Sequence, residues 1–192
     1  MASHDYVFVT RWTVDGTPDE IYEVISDAAA LPRWWPSVYL EASIVEPGSE
    51  GGIGRVVALW TKGFLPYTLR WRFRVAEARR PSSLALEAVG DFVGRGVWSF
   101  AAASDGDQPR TNVTFDWRIR AEKPLLRGLS FLLKPIFAAN HAWAMERGLE
   151  SLRLELARRR AANDEERARI PPPPQPSWPP QRRRQRVIGG GR

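Results

Sequence analysis

The chain has 192 residues, of which 43% are hydrophobic, and it contains no cysteine. This length fits one domain with ample apolar residues for a core, and the lack of cysteine excludes a disulfide framework and thiolate metal sites. The formal net charge of +6 falls to +1 without the five arginines of residues 171–192, so the basic character belongs to the C-terminal end.

The N-terminal region predicts one strand followed by short helices. Tyr6–Val14 alternates apolar and polar residues, which is typical of a strand with one buried face. The next residues predict a helix start, because Thr17 can cap the helix and Glu20 completes a capping box. We expect the helix to cover Pro18–Asp27 and Ala28–Val38 to form a second short helix or a bend.

Six further segments have the period-two pattern of strands and are separated by turn residues. In Tyr67–Val75 and Thr111–Arg120 the odd positions carry the large apolar side chains, and with the other strands this places four of the nine tryptophans on one face of a curved antiparallel sheet. Such a face either fills a core or lines a pocket. The predicted strands are Tyr39–Glu46, Arg55–Lys62, Tyr67–Arg79, Ser83–Val89, Val93–Ala103 and Thr111–Ala121.

The C-terminal third predicts a long helix and then a tail. The helix extends from Pro124 to about Arg160. From Ala161 the composition changes, and seven prolines between 171 and 180 favour polyproline II. We therefore expect a domain over residues 1–160 and a disordered tail over 161–192. The apolar face of the helix is predicted to contain Leu129, Leu132, Leu133, Ile136, Trp143, Leu149, Leu152 and Leu156.

The order of these elements resembles the helix-grip fold, and several motifs resemble the START-like superfamily, in particular the polyketide cyclase/dehydrase-like proteins often called SRPBCC. The likeness covers about residues 6–158. The motifs that carry it are Val14–Pro18, Ile21–Asp27, Leu31–Pro36, Gly96–Phe100, Thr111–Trp117 and Asn140-His141.

The resemblance implies an α+β helix-grip fold, with a curved seven-stranded antiparallel sheet wrapped around a long C-terminal helix and two short helices after the first strand. It also implies a ligand cavity between the concave sheet face and the long helix. Members of the group bind lipids, sterols, polyketides or hormones, and only some catalyse a reaction.

We expect the ligand to contact aromatic residues of the sheet and a few polar groups of the helix. Trp34 and Trp35 are predicted near the cavity mouth. Asn140, Trp143 and Arg147 share one helix face, and if that face is inward Asn140 orients the ligand while His141 points elsewhere. The remaining predicted ligand-binding residues are Tyr67, Trp71, Trp98 and Trp117.

The leading hypothesis is binding, with transport as a further option, of a small hydrophobic molecule. The predicted inner strand faces carry no Asp, Glu, Lys or His, which argues against acid–base chemistry. The alternative is a polyketide cyclase or dehydrase in which Tyr67, Asn140 and His141 order the substrate and move protons. A third hypothesis is an interaction module that uses Trp178 and the arginines of 182–186 to contact an acidic partner or, weakly, an anionic membrane.

No cofactor and no metal are expected, because no His pair or His-x-x-Glu spacing is present. No specific nucleic-acid partner is expected either. The N-terminus lacks the pattern of a signal peptide, and charged residues and a proline interrupt the longest apolar stretch, Leu125–Met145. We therefore expect a cytoplasmic protein.

Overall fold

The computed structural model describes residues 5–103, 108–121 and 130–178. Its strands are β1 Asp5–Asp15, β2 Tyr39–Glu46, β3 Val56–Lys62, β4 Thr68–Arg79, β5 Ser83–Gly90, β6 Phe92–Ala102 and β7 Arg110–Ala121. Its helices are α1 Pro18–Ser26, α2 Leu31–Trp34, α3 Ser130–Arg160 and α4 Asp164–Arg169, with a 3₁₀ turn over Ala28–Ala30 before α2.

The seven strands form one antiparallel sheet in the order β1-β7-β6-β5-β4-β3-β2. Strands β2 to β6 are each paired with the next strand along the chain, and β1 lies beside β7 with continuous pairing from Asp5 opposite Arg120 to Asp15 opposite Arg110. The sheet wraps around α3, so the predicted helix-grip fold is confirmed. The predicted strand ends agree with these bounds to within one residue, because the period-two pattern is a local property.

The start of α1 has the predicted capping box. The Thr17 backbone N–H donates to Glu20 Oε2 at 2.8 Å, and the Glu20 N–H donates to Thr17 Oγ1 at 3.3 Å. The segment expected to form a second helix or bend contains the 3₁₀ turn and the single turn of α2, which ends at Trp34. The predicted start of the long helix at Pro124 lies outside the described residues, which resume at Ser130.

The inward face of α3 differs from the predicted apolar face. Ile136 is 41% exposed, and Trp143 is only partly buried. The residues that are buried against the sheet and the short helices include two small ones, Gly148 and Ser151. The buried residues of this helix are Met145, Gly148, Ser151, Leu152, Glu155 and Leu156.

Gly148 occupies the inward face because the ring of Trp35 fills the space beside it. A Cβ atom at position 148 would lie 2.2 Å from Cζ2 of Trp35, which is closer than any real contact. The glycine therefore allows the helix backbone to approach the tryptophan closely. The hydropathy pattern does not predict that Gly148 is buried, because the large side chain at this contact belongs to Trp35, which is far away in the sequence.

A buried carboxylate links α2 to the C-terminal half of α3. The Glu155 side chain is 3% exposed and accepts hydrogen bonds from Arg33 Nη1 and Nη2, at 2.8 Å each, and from Arg159 Nε at 2.9 Å. Burial raises the pKa of Glu155, but the hydrogen bonds from the two arginines outweigh this effect, so its pKa lies below the ordinary value. The ion pair between Arg33 and Glu155 therefore holds α2, and with it Trp34 and Trp35, against α3.

We expect Glu155→Gln to lower the free energy of unfolding by about 1–3 kcal/mol, because the buried bonds to charged groups lose their anion. The matched control is Glu150→Gln in the same helix, where the carboxylate is 51% exposed and binds only Arg147. That change should stay within about 0.5 kcal/mol. Chemical denaturation measures both, and equal losses would contradict the linking role of Glu155.

The C-terminal segment differs from the disorder predicted from its composition. Residues 161–178 are described and include α4, which begins at an Asn163 cap that accepts from the Glu166 N–H at 2.9 Å. The segment continues to Trp178, whose indole N–H donates to the Phe64 carbonyl oxygen at 3.3 Å. Residues 179–192, with the arginines of 182–186, lie outside the described residues. The domain boundary at residue 160 and the interaction-module hypothesis stay predictions.

Candidate functional site

A cavity of about 210 Å³ lies between the concave sheet face and α3. Its wall is mostly aromatic and aliphatic. The volume exceeds the roughly 150 Å³ of an engineered apolar cavity that holds benzene, so it has room for a molecule of one or two rings. The sheet contributes Trp71, Phe73, Trp98, Phe115 and Trp117, and the helix contributes Phe137, Asn140, His141, Ala144 and Met145.

The sheet side of the wall is a continuous aromatic surface. Trp98 stacks on Phe115 with ring centres 4.1 Å apart, and Phe115 stacks on Trp117 at 5.5 Å. Trp71 continues the row at 5.8 Å from Trp117. Four predicted ligand contacts, Tyr67 and the three tryptophans, therefore lie in one wall, as the strand alternation predicts.

The Gly94–Gly96 segment has a different role from the one that its sequence indicates. Two glycines in a predicted strand favour a bulge, but β6 pairs regularly with β5 and β7 through this segment. Gly96 lies opposite Trp117, and a Cβ atom there would lie 2.6 Å from the Trp117 ring. The missing side chain thus makes room for the aromatic wall.

Trp34 and Trp35 border the cavity, but not near its mouth as predicted. They are 1% and 3% exposed, so they close its inner end. Trp35 packs against Trp34, Trp12 and Tyr39. Neither indole N–H of the pair has a hydrogen-bond partner among the described residues. A ligand oxygen in reach of either donor would be stabilised, because a buried unpaired N–H is costly.

The mouth lies at the opposite end, beside the N-terminal half of α3. Several partly exposed wall residues lie there, whereas Leu31, Trp34, Trp35 and Val38 at the other end are buried. We take this cluster as the mouth of the cavity. Its members are Phe8, Tyr67, Leu69, Ile119, Phe137, Asn140 and His141.

Asn140 lies in the wall, as predicted, but its side chain also holds a loop. Its Oδ1 accepts from the Phe64 N–H at 3.0 Å and from the Leu65 N–H at 3.4 Å. This ties the turn between β3 and β4 to the helix. The carboxamide oxygen is therefore occupied, and only the amide N–H groups remain for a ligand.

Of the three residues on the helix face that was expected to turn inward, only Asn140 borders the cavity. Trp143 lies outside the cavity wall and packs against Phe64 at 6.1 Å between ring centres. Arg147 pairs with Glu150 on the surface. The residues that do face the cavity are Phe137, His141 and Met145, which are four residues apart and therefore share one face of the helix.

His141 was predicted to point away from the cavity, and the structure places it in the wall. Its ring stacks on Phe8 at 4.4 Å, and its Nε2 lies 3.4 Å from Thr10 Oγ1. Burial lowers the pKa of His141 to about 4. The imidazole is therefore neutral at pH 7.

Two other groups correct the expectation that the inner surface is nearly free of ionisable residues. Lys62 and Arg55 both border the cavity. Lys62 is 3% exposed, and its Nζ donates to the Trp178 carbonyl oxygen at 2.7 Å. Burial lowers the pKa of Lys62. Strand alternation assigns Lys62 to the outer face, so its place at the border of the cavity could not be predicted from the sequence.

Tyr67 is the remaining candidate for proton chemistry. Burial, with a smaller contribution from Tyr6, raises the pKa of Tyr67 to about 12. Its hydroxyl is therefore protonated at pH 7 and can donate a hydrogen bond, but it cannot act as a base. The phenol of Tyr67, the amide of Asn140 and the uncharged imidazole of His141 thus lie at the mouth, close to the Lys62 ammonium.

Comparison with protein families gives a match over residues 7–157 to the family described as polyketide cyclase / dehydrase and lipid transport. The chain belongs to this family. The predicted resemblance to the polyketide cyclase/dehydrase-like proteins is thereby confirmed. No curated protein matches the sequence.

Solved structures share the fold of this family member. TTHA0849 of Thermus thermophilus is 14% identical, with a TM-score of 0.60 over 81% of this chain and 100% of the other. The Zhui aromatase/cyclase of a Streptomyces species is 20% identical, with a TM-score of 0.59 over 83% and 98%. A START superfamily protein of Mycobacterium smegmatis is 17% identical, with a TM-score of 0.57 over 76% and 98%. These likenesses extend to the fold alone.

We expect His141 to make the protein less stable as the pH falls from about 6.5 towards 4. In that range the unfolded chain takes up a proton on this residue while the folded chain does not. Between pH 7 and pH 5 the free energy of unfolding should fall by about 1–2 kcal/mol more in the wild type than in His141→Gln, as measured by chemical denaturation at each pH. The same loss in both proteins would contradict a buried neutral imidazole.

Proposed function

We propose that this protein binds a small hydrophobic molecule in the cavity between sheet and α3. The observation that carries the proposal is the largely aromatic wall around a cavity of about 210 Å³, with Tyr67, Asn140 and His141 at its mouth. Apolar cavities with a few placed polar groups are the usual form of small-molecule sites. The lipid transport in the family description supports the same class of function, in which the ligand is carried and released unchanged.

The wall favours a flat ligand of one or two rings. Because Phe115 is stacked against both Trp98 and Trp117, these rings meet a ligand mainly through their edges, and edge-to-face contact with another aromatic ring is favourable beyond simple burial. A polar end of the ligand would lie at the mouth, where the Tyr67 hydroxyl and the amide N–H of Asn140 can donate. All the ligand-binding residues that the sequence analysis predicts, except Trp143, line this cavity. They are Trp34, Trp35, Tyr67, Trp71, Trp98, Trp117 and Asn140.

The test uses two substitutions two residues apart on the same helix. Ala144 borders the cavity and Ala142 is exposed. We expect Ala144→Phe to fill the cavity and to weaken binding of naphthol, a neutral two-ring probe, at least about tenfold, since it removes the volume that the probe would occupy. Ala142→Phe should bind naphthol as the wild type does. Titration calorimetry measures both affinities.

Thermal unfolding must first establish that both variants are folded. Equal naphthol binding by the wild type and by Ala144→Phe would contradict the cavity as the binding site. The absence of naphthol binding by the wild type would count against a site for apolar rings.

A second candidate, a cyclase or dehydrase, has one observation in its favour: Tyr67, Asn140 and His141 converge at the mouth. The neutral His141 would take a proton from the carbon between two ketones, and that carbon would attack another ketone. The ketone oxygen, held by the Tyr67 hydroxyl, would then receive the proton, and later loss of water would complete the ring. Two features favour binding over this reaction: the low pKa of His141 makes it a weak base, and the cavity has room for few rings.

Incubation with a linear poly-β-ketone tests this candidate. Cyclised product from the wild type and a loss of about a hundredfold or more in His141→Gln would support it, since a general base contributes about that much. Binding of the compound without turnover would leave the carrier function as the one supported.

A further inference from the structure

The end of the described chain returns to the cavity mouth. We call residues Ile170–Trp178 the strap. At its beginning the Arg158 guanidinium, near the C-terminal end of α3, donates to the Pro171 carbonyl oxygen. At its end Trp178 contacts Lys62 and the Phe64 carbonyl oxygen.

The dimensions require this segment to be extended. From Arg158 back to Asn140, which holds the Phe64 loop, α3 spans about 27 Å at 1.5 Å per residue. From Pro171 to Trp178 a polyproline II chain spans about 22 Å at 3.1 Å per residue, and the two side chains at its ends supply the rest. The prolines at 171–174 and 176 keep the strap in this form, so it can reach the mouth with little loss of conformational freedom.

Trp178 is the interaction partner of the buried Lys62 ammonium. The Lys62 ammonium donates to the Trp178 carbonyl oxygen at 2.7 Å and lies 3.6 Å from the centre of the Trp178 ring. No carboxylate of the described residues lies within 4.0 Å of this buried cation. The carbonyl dipole and the ring face therefore provide the negative partner that a buried charge requires. We call this contact the latch.

The latch lies beside the cavity mouth. Lys62, Gly63, Tyr67 and Asn140 all border the cavity, and the indole N–H of Trp178 is bonded to the loop between Gly63 and Tyr67. Trp178 itself is not part of the wall. The strap therefore covers the loop from outside and leaves the interior of the cavity free.

We propose that the strap is a gate for the ligand of the proposed function, closed by the latch between Trp178 and Lys62. While the latch holds, the loop at Gly63–Tyr67 stays bound to Asn140 and narrows the mouth. A ligand enters or leaves when Trp178 lifts from Lys62. Because the strap lies outside the cavity, it closes equally over an empty and a filled site and controls the rates more than the affinity.

The test measures naphthol association and dissociation by stopped-flow energy transfer from the protein's tryptophans. Trp178→Ala in the full chain should raise both rate constants about threefold to thirtyfold, as expected for loss of one cation–π contact. The dissociation constant should stay within about twofold of the wild type. Lys62→Met, which keeps an apolar stem of similar size, should also raise both rate constants, and the double variant should add little to the increase.

The control is Arg72→Met, which removes an exposed cation from the neighbouring strand β4 and should leave both rates unchanged. Wild-type rates in Trp178→Ala or in Lys62→Met would overturn the gate while leaving naphthol binding, and thus the proposed function, intact. Tighter binding in Trp178→Ala with unchanged dissociation would also overturn it, since the strap would then compete with the ligand. No naphthol binding in any variant would remove the proposed function and the gate together.

Discussion

The concave aromatic face of the sheet is the constraint on which the rest of the structure depends. Strand alternation sends large, flat rings to one side, where Trp98, Phe115 and Trp117 stack on one another. Rings packed into a stack leave space that one helix cannot fill, whereas small aliphatic residues would let the sheet close on α3. The glycines follow from the same constraint. Gly96 makes room for Trp117, and Gly148 lets Trp35 lie against the helix backbone.

The distribution of polarity along the cavity favours retention of a ligand over chemistry. Its inner end is closed by the buried Trp34 and Trp35, and Tyr67, Asn140 and His141 lie at the mouth. Burial keeps His141 neutral at pH 7 and Tyr67 protonated, so the mouth can direct hydrogen bonds without moving charge into the apolar interior. Asn140 serves the wall and the loop at once, since its carbonyl oxygen binds the Phe64 and Leu65 N–H groups. Membership in a family described by both cyclisation and lipid transport is compatible with such a site.

The C-terminal segment connects the far end of the long helix to the cavity mouth. A chain of prolines cannot build a core of its own, but its stiffness lets it span the length of α3 at little entropic cost. Its aromatic residue Trp178 then contacts the buried Lys62. No helix of the described residues is long and apolar enough to cross a membrane. The contacts of Trp178 with Lys62 and with the Phe64 carbonyl oxygen place the end of this segment beside the cavity.

The sequence by itself determined the strands, the capping box at Thr17 and Glu20, and the aromatic face that contains Trp71, Trp98 and Trp117. These features depend on residues within a few positions of each other, and their periodicity is visible in the chain. Only the tertiary structure decided that His141 turns inward, that Trp34 and Trp35 close the inner end, and that Lys62 binds a residue 116 positions away. The physical reason is that burial of a helix face, or of a charge, depends on what packs against it. Neither Gly148 nor Lys62 reveals its partner until the fold brings Trp35 and Trp178 into contact with them.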